Sequence, residues 1–239
     1  MLPKWQKGIV TRIEQANHNT RRYWLELPES PLFAFKPGQF VTLDLPIHEQ
    51  RNKRWRSYSI ASAPNGGNLI ELVIVLVDDG LGSGYFFNNV AVGSELILRG
   101  PHGIFTLPAE IDKDIFMICT GTGIAPYRSI LHYINEYKVP HKALHLIYGC
   151  RTREDLIYED EMRALQQDIP ELIYHITLSR EDWEGAYKGY VHQVYEALCE
   201  NRQPAHFMLC GWRNMVDEAK HRILEMGYDK NDIHLELYG

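Results

Sequence analysis

The 239-residue chain lacks any apolar run long enough to span a bilayer, so a membrane-embedded protein is not expected. Its first residues, Met1-Leu2-Pro3-Lys4-Trp5-Gln6-Lys7, lack the apolar core of a signal peptide. The four cysteines, Cys119, Cys150, Cys199 and Cys210, lie far apart and form no CxxC pair. That spacing argues against a zinc site or an iron–sulfur cluster carried by this chain, and no metal is expected. Scattered single thiols suit a reducing cytosol, so a cytoplasmic location is expected. An excess of positive charge is also missing. The formal net charge is −6, whereas general nucleic-acid binding needs a basic face. No internal repeat or low-complexity segment is visible. With 45% hydrophobic and 23% charged residues, the composition is that of a soluble globular protein.

The chain changes rhythm near its middle. In the first half, period-2 or β-branched segments run from Ile9 to Ile13, Tyr23 to Leu27, Phe40 to Leu45, Ser57 to Ala61, Leu69 to Val77 and Glu95 to Leu98. Turn signals separate them, at Lys36-Pro37-Gly38, Pro64-Asn65-Gly66-Gly67 and Gly80-Leu81-Gly82-Ser83-Gly84. Short, regularly spaced strands predict a closed antiparallel barrel. In the second half, compact apolar runs at Ile115–Cys119, Ala143–Tyr148, Leu172–Leu178, Phe207–Cys210 and Ile233–Leu237 alternate with helical stretches. The helices are expected near Tyr127–Tyr137, Tyr158–Gln167, Val191–Glu200 and Met215–Met226. Such alternation predicts a parallel sheet with helices on both faces. The boundary falls near Leu107–Asp114, which divides the chain into residues 1–110 and 111–239.

Two motifs carry the chemistry. Arg56-Ser57-Tyr58-Ser59 lies in a predicted strand, whose side chains alternate between faces. Arg56 and Tyr58 share one face; Ser57 and Ser59 share the other. An arginine fork can grip a diphosphate, and a tyrosine ring can lie against a flat ring system. A half-exposed strand with a surface arginine fits the tetrapeptide alone equally well. Downstream, the N–H groups around Gly82 and the Ser83 hydroxyl, ahead of a short helical stretch, can bind a phosphate; a flexible loop is the plainer alternative.

Gly121-Thr122-Gly123-Ile124-Ala125-Pro126 follows a buried strand and precedes a helix. Gly121 and Gly123 permit a tight turn and close ligand approach, and Pro126 suits a first helical turn. The helix N-terminus then faces a pyrophosphate. Ligands of open parallel sheets gather at the carboxyl ends of strands. Arg151 ends one strand there, and Ser179-Arg180 end the next. Ser179 and Arg180 can bind a 2′-phosphate, which favours NADP(H) over NAD(H). Glu181, Asp182 and Glu184 would oppose that phosphate if they pointed inward.

These motifs, in this order, resemble the ferredoxin–NADP(H) reductase superfamily over essentially the whole chain. Phe35-Lys36-Pro37-Gly38-Gln39-Phe40-Val41 and Gly100-Pro101-His102-Gly103-Ile104-Phe105 resemble further strands of its flavin barrel. The resemblance implies a Greek-key flavin-binding barrel followed by a Rossmann-like nucleotide domain. It implies that Arg56, Tyr58, Ser59 and Ser83 contact the flavin, with Ile60, Ala61 and Ser62 running alongside. FAD is implied over FMN by analogy with reductases of this length. Lys188 and Tyr190 would join Ser179 and Arg180 at the 2′-phosphate, although the spacing is one residue shorter than the family's. Cys210 would lie beside the nicotinamide. Glu236 would bond to Ser59 or the nicotinamide amide, and Tyr238 would stack on the outer flavin face, with Gly239 following it.

The function implied is hydride exchange between NADP(H) and flavin, with electrons passed to ferredoxin or flavodoxin. Arg51, Lys53, Arg54 and Arg56 form a basic cluster that suits an acidic carrier. The same superfamily contains reductase components of oxygenases and free-flavin reductases. A non-catalytic flavin or nucleotide sensor is a third reading, opposed by the joint presence of Ser59, Cys210 and Glu236.

Overall fold

The computed structural model describes residues 3–238. Met1, Leu2 and Gly239, on which the N-terminal expectation and the pose after Tyr238 partly rest, lie outside the described residues. Six strands form the first sheet: β1 (Gln6–Asn17), β2 (Thr20–Glu26), β3 (Phe40–Asp44), β4 (Trp55–Ser59), β5 (Leu69–Val75) and β6 (Glu95–His102). Their order is β4-β3-β6-β1-β2-β5, and every pairing is antiparallel. Strand β6 returns to lie between β3 and β1, which makes the sheet a Greek key. Its two edges meet where Ala61 N–H, just past β4, donates to the Glu71 carbonyl on β5 at 2.8 Å. The inward-facing side chains, among them Val10, Tyr23, Leu25, Leu43, Leu72 and Leu98, form the barrel core. Helix α1 (Leu81–Asn89) packs on it through Phe86.

The second sheet holds β7 (Asp114–Thr120), β8 (Leu144–Cys150), β9 (Leu172–Leu178), β10 (Tyr187–Lys188), β11 (Ala205–Trp212) and β12 (Ile233–Tyr238). Their order is β10-β9-β8-β7-β11-β12, all parallel. Helices α2 (Ala125–Tyr137) and α3 (Glu159–Asp168) cover one face, and α4 (Val191–Leu198) and α5 (Arg213–Glu225) the other. Strand β7 sits between two neighbours with both faces covered, which is why Ile115–Cys119 is an unbroken apolar run.

One expectation is corrected, and one strand lies outside the expectations. The glycines of Gly80–Gly84 do not form a turn ahead of a helix. Gly80 is the N-cap, and the rest make the first turn of α1. The two-residue strand β10 has no signal in the sequence, because a pair of residues carries no period.

Candidate functional site

The barrel and the parallel sheet meet where β4 ends. Ser59, at the end of β4, is 4% exposed. Glu236 and Tyr238 reach it from β12, the edge strand of the other sheet. Register places Glu236 beside Cys210 and Tyr238 beside Trp212. The Ser59 hydroxyl donates to Glu236 Oε1, and the Tyr238 hydroxyl donates to Ser59 Oγ at 2.7 Å. The result is a directed chain, Tyr238 to Ser59 to Glu236, across the domain junction. Burial pushes the Glu236 carboxyl up to about 7, against the lowering pull of the Ser59 hydroxyl. The same burial raises the Cys210 thiol well above its ordinary value, so Cys210 stays a neutral, apolar wall.

Along β4 the alternation holds. Tyr58 sets its ring edge-on to Phe86 of α1, with centroids 5.5 Å apart, and burial raises its hydroxyl. Ile60 is fully buried in the barrel core. Ser57, on the other face, is exposed and shares a 3.0 Å hydrogen bond with Thr42. Arg56 lies over Gly82, where a Cβ would come within 2.9 Å of Arg56 Cγ. Only glycine lets the guanidinium lie that close to the first turn of α1. One arm of Arg56 donates to the carbonyls of Lys53 at 3.0 Å and Trp55 at 2.8 Å, which fixes its direction.

Ser83 is placed differently from the expectation. Its hydroxyl accepts from Val77 N–H at 3.1 Å and donates to the Gly80 carbonyl at 3.2 Å. It is 8% exposed and holds the loop to α1 rather than facing outward. The groups left for a phosphate are the first backbone N–H groups of α1, which have no acceptor within the helix. Beside this turn lies a cleft of about 810 Å³, bordered by Ile47, Asp78, Asp79, Gly84 and Tyr85. That volume suits a nucleotide cofactor. The Gly82–Arg56 cradle, the α1 N-terminus and the adjoining cleft together fit a flavin with its phosphates.

The nucleotide turn is Gly121–Ile124, a short 3-10 turn leading directly into α2, with Pro126 in the first turn of that helix as expected. Gly121 has φ +54°. Gly123 is needed for a reason beyond ligand approach: a Cβ there would collide with the Cys210 carbonyl. Thr122 projects half-buried from the turn. Two hydroxyls missed by sequence reasoning stand out. Among the described residues, Thr120 Oγ1 and Thr177 Oγ1 are buried without a hydrogen-bond partner, at the carboxyl ends of β7 and β9. Their signal is only positional, since the last polar residue of an apolar strand points to the ligand edge.

Beyond the strands, Ser179 N–H donates to the Cys150 carbonyl at 3.0 Å, and Arg180 N–H to the Arg151 carbonyl at 2.8 Å. Arg151 and Arg180 are thus exposed neighbours at this edge. Glu181 accepts from Arg153 N–H at 2.6 Å. Lys188 pairs with Asp182 at 3.2 Å, and Tyr190 is 68% exposed. The structure therefore brings Ser179, Arg180 and Arg151 together. It leaves Lys188 engaged by an acid.

Residues 7–107 match the family described as "Oxidoreductase FAD-binding domain", and residues 117–221 match "Oxidoreductase NAD-binding domain". Fold and site define an oxidoreductase that uses FAD and a pyridine nucleotide. The chain is 35% identical over 228 residues to ferredoxin–NADP reductase B of Sorangium cellulosum, covering 91% of each chain. The chain belongs to the ferredoxin–NADP(H) reductase superfamily. It is 29% identical over 215 residues to the anthranilate 1,2-dioxygenase electron transfer component of Acinetobacter baylyi, but spans only 61% of that protein's length. A solved ferredoxin NADP+ reductase from Neisseria gonorrhoeae, with bound FAD and NADP, superposes with a TM-score of 0.83 at 26% identity, covering 98% of both chains. Among the described residues, no helix is long and apolar enough to cross a membrane.

Proposed function

We propose that this chain is a cytoplasmic NADPH-dependent reductase that passes electrons to a small acidic carrier of the ferredoxin or flavodoxin type. The observation that carries the reading is the Tyr238–Ser59–Glu236 chain, which joins the two halves at the point where β4 ends. Bound FAD would accept a hydride from the nicotinamide and release its electrons singly. Arg56 and the backbone N–H groups of the first turn of α1, at Gly82 and Ser83, would hold the flavin phosphates, and Tyr58 would lie against its ring. The Gly121–Gly123 turn and the α2 N-terminus hold the nucleotide pyrophosphate. Ser59 and Glu236 would orient the reacting edge, Cys210 would wall it, and Tyr238 would cover the flavin where the nicotinamide must enter. FMN would leave the cleft beside Tyr85 without an occupant, which favours FAD. We place the division between the halves at residues 110 and 111, in the segment linking β6 to β7.

NADPH is favoured over NADH because Ser179 and Arg180 share one edge while Glu181 is drawn off by Arg153 N–H. The test is the visible spectrum of purified protein under anaerobic conditions, with each nucleotide added in turn. Faster bleaching by NADPH is expected. Faster bleaching by NADH would overturn the nucleotide assignment, and a colourless protein that takes up neither FAD nor FMN would overturn the whole reading.

A second reading, a reductase component of an oxygenase, is favoured by the similarity to oxygenase electron transfer components. The basic cluster separates the two only in part. Arg51 and Arg54 share the single carboxylate of Asp44, at 3.5 Å and 2.8 Å, which leaves one positive charge on that group beside exposed Lys53. Reduction rates with ferredoxin, flavodoxin and an oxygenase as acceptors decide between the readings. If Lys53 steers the carrier, Lys53→Glu slows that rate at low salt, and the difference closes as salt is raised.

A further inference from the structure

The apolar contact between the two halves encloses one buried carboxylate. Glu71, on β5, is 2% exposed. It accepts from Arg22 Nε at 2.6 Å, from the Tyr158 hydroxyl at 2.6 Å and from Arg128 Nη1 at 3.0 Å. Arg22 belongs to the barrel; Arg128 and Tyr158 belong to the nucleotide half. Both guanidinium carbons stand 4.7 Å from the centre of the Tyr158 ring, one from each domain. Arg128 Nη1 also donates to the Ala61 carbonyl at 2.8 Å, and Nη2 pairs with Glu161 at 2.7 Å. The next residue, Ser129, donates to the Ser62 carbonyl at 2.7 Å.

The position of these bonds is more informative than their number. Arg128 and Ser129 lie in the first turns of α2, which starts directly after the nucleotide turn. Ala61 and Ser62 lie just past Ser59, on the backbone that leaves the flavin strand. Ala61 is tied to Glu71 as well, through its N–H, and Ser62 Oγ accepts from Glu71 N–H at 3.1 Å. One guanidinium thus grips both the backbone beside one cofactor site and the strand behind it, while its own helix opens at the other. As a source of stability alone this is a poor choice, since an apolar contact of similar shape does as well as a buried ion pair. Its advantage is geometric. A planar fork sets direction and distance in a way that apolar contact does not.

We propose that Arg128 is the positioning residue of hydride transfer, setting the spacing of nicotinamide and flavin by clamping α2 to Ala61 and Glu71. This rests on the reading of the chain as an NAD(P)H:flavin oxidoreductase. Hydride transfer is steep in distance, and a misplacement of about 1 Å costs on the order of 100-fold in rate.

The test uses the flavin-loaded protein and two variants. Arg128→Lys keeps the buried charge but cannot serve Ala61, Glu71 and Glu161 together. Tyr158→Phe removes a single hydroxyl and answers the question if the lysine variant does not fold. Amide hydrogen exchange is read at residues 61–62 and 125–131, and single-turnover flavin bleaching is read alongside nucleotide affinity. We expect faster exchange at both segments. Bleaching should slow about 10- to 100-fold in Arg128→Lys, and less in Tyr158→Phe, with nucleotide affinity and flavin content unchanged. The absorbance of the nucleotide–flavin charge-transfer complex should weaken in step. Unchanged exchange, bleaching within twofold of the parent, or a rate that falls only as flavin or nucleotide is lost would each overturn the proposal. A parent protein that neither nucleotide bleaches would sink the redox reading instead, while the exchange data would still decide whether Arg128 clamps the two segments.

Discussion

Ser59 and Glu236 lie 177 positions apart, on strands of different sheets, and share a hydrogen bond. The bond makes a carboxyl group from the last strand part of the flavin strand's surroundings. Burial holds that carboxyl at about 7 instead of 4.5. The bleaching rate should therefore show an inflection near pH 7. Glu236→Gln should remove the inflection and slow bleaching at least about tenfold, with flavin still bound. For stability, a raised acid contributes fully below pH 4.5 and loses its contribution as pH rises through 7. Melting temperatures of the parent should fall more steeply than those of Glu236→Gln between pH 5 and pH 7.5. Equal slopes would mean that this carboxyl titrates normally.

A second titration belongs to the sheet. His175 and His145 are both 7% exposed and share a 3.2 Å hydrogen bond between rings, with Asp114 acting on His145 through its charge. Burial, then the neighbouring ring, lowers His175 to about 4. The unfolded chain takes up a proton near 6.5 that the folded one refuses, so stability is lost as pH falls from 6.5 toward 4. At about 1.4 kcal/mol per pH unit the loss is on the order of 3 kcal/mol. On going from pH 7.5 to pH 5, His175→Leu should lose less melting temperature than the parent, with which it shares Glu236 and the remaining histidines. A drop as large as the parent's would place the acid lability elsewhere.

At the nucleotide edge, Arg180→Ala should lower kcat/KM for NADPH about 10- to 100-fold and change NADH use less than about threefold, because a charge-assisted bond to the extra phosphate is lost. Lys188→Ala should matter less than about threefold for either nucleotide. Its ammonium already pairs with Asp182, and both side chains are mostly in water, at 71% and 79% exposure. Steady-state kinetics with both nucleotides checks the two variants. Equal losses for NADPH and NADH in Arg180→Ala would remove the 2′-phosphate assignment.

Gly123→Ala probes the contact of the nucleotide turn with Cys210. The added methyl meets a backbone carbonyl, which cannot rotate aside, so destabilisation of about 1–3 kcal/mol is expected along with weakened nucleotide binding. Gly84→Ala, on the border of the flavin cleft, is the control for stability alone, because a Cβ there has nothing within 4 Å among the described residues. Denaturant melts of both variants and nucleotide titration of Gly123→Ala against the parent give the comparison. A Gly123→Ala protein as stable as the parent would show that the turn can retreat from β11.

Much of the fold is local, and so it can be read from the chain. The alternation along Tyr23–Leu27 marks a half-buried strand, and the unbroken run Ile115–Cys119 marks a strand covered on both sides. Residues 121–126 announce a strand-to-helix turn because glycine and proline act on their own backbone. Arg56 and Tyr58 share a face because a strand's period is two. Each of these follows from covalent geometry and from which side chains avoid water, and needs no distant partner. The direction of a hydroxyl does need one. Ser83 reads as a phosphate ligand until the loop at Val77 is seen to claim it. Lys188 reads as a phosphate ligand until Asp182 is found beside it. The Tyr238–Ser59–Glu236 chain, the partnerless hydroxyls of Thr120 and Thr177, and the Arg22–Glu71–Arg128 clamp join strands and helices far apart in sequence. By itself the sequence determined the two sheets, their helices and the two cofactor-binding turns. Only the tertiary structure decided which polar groups face each other across the junction, because that depends on how two separately formed layers close on one another, and burial then sets their charge.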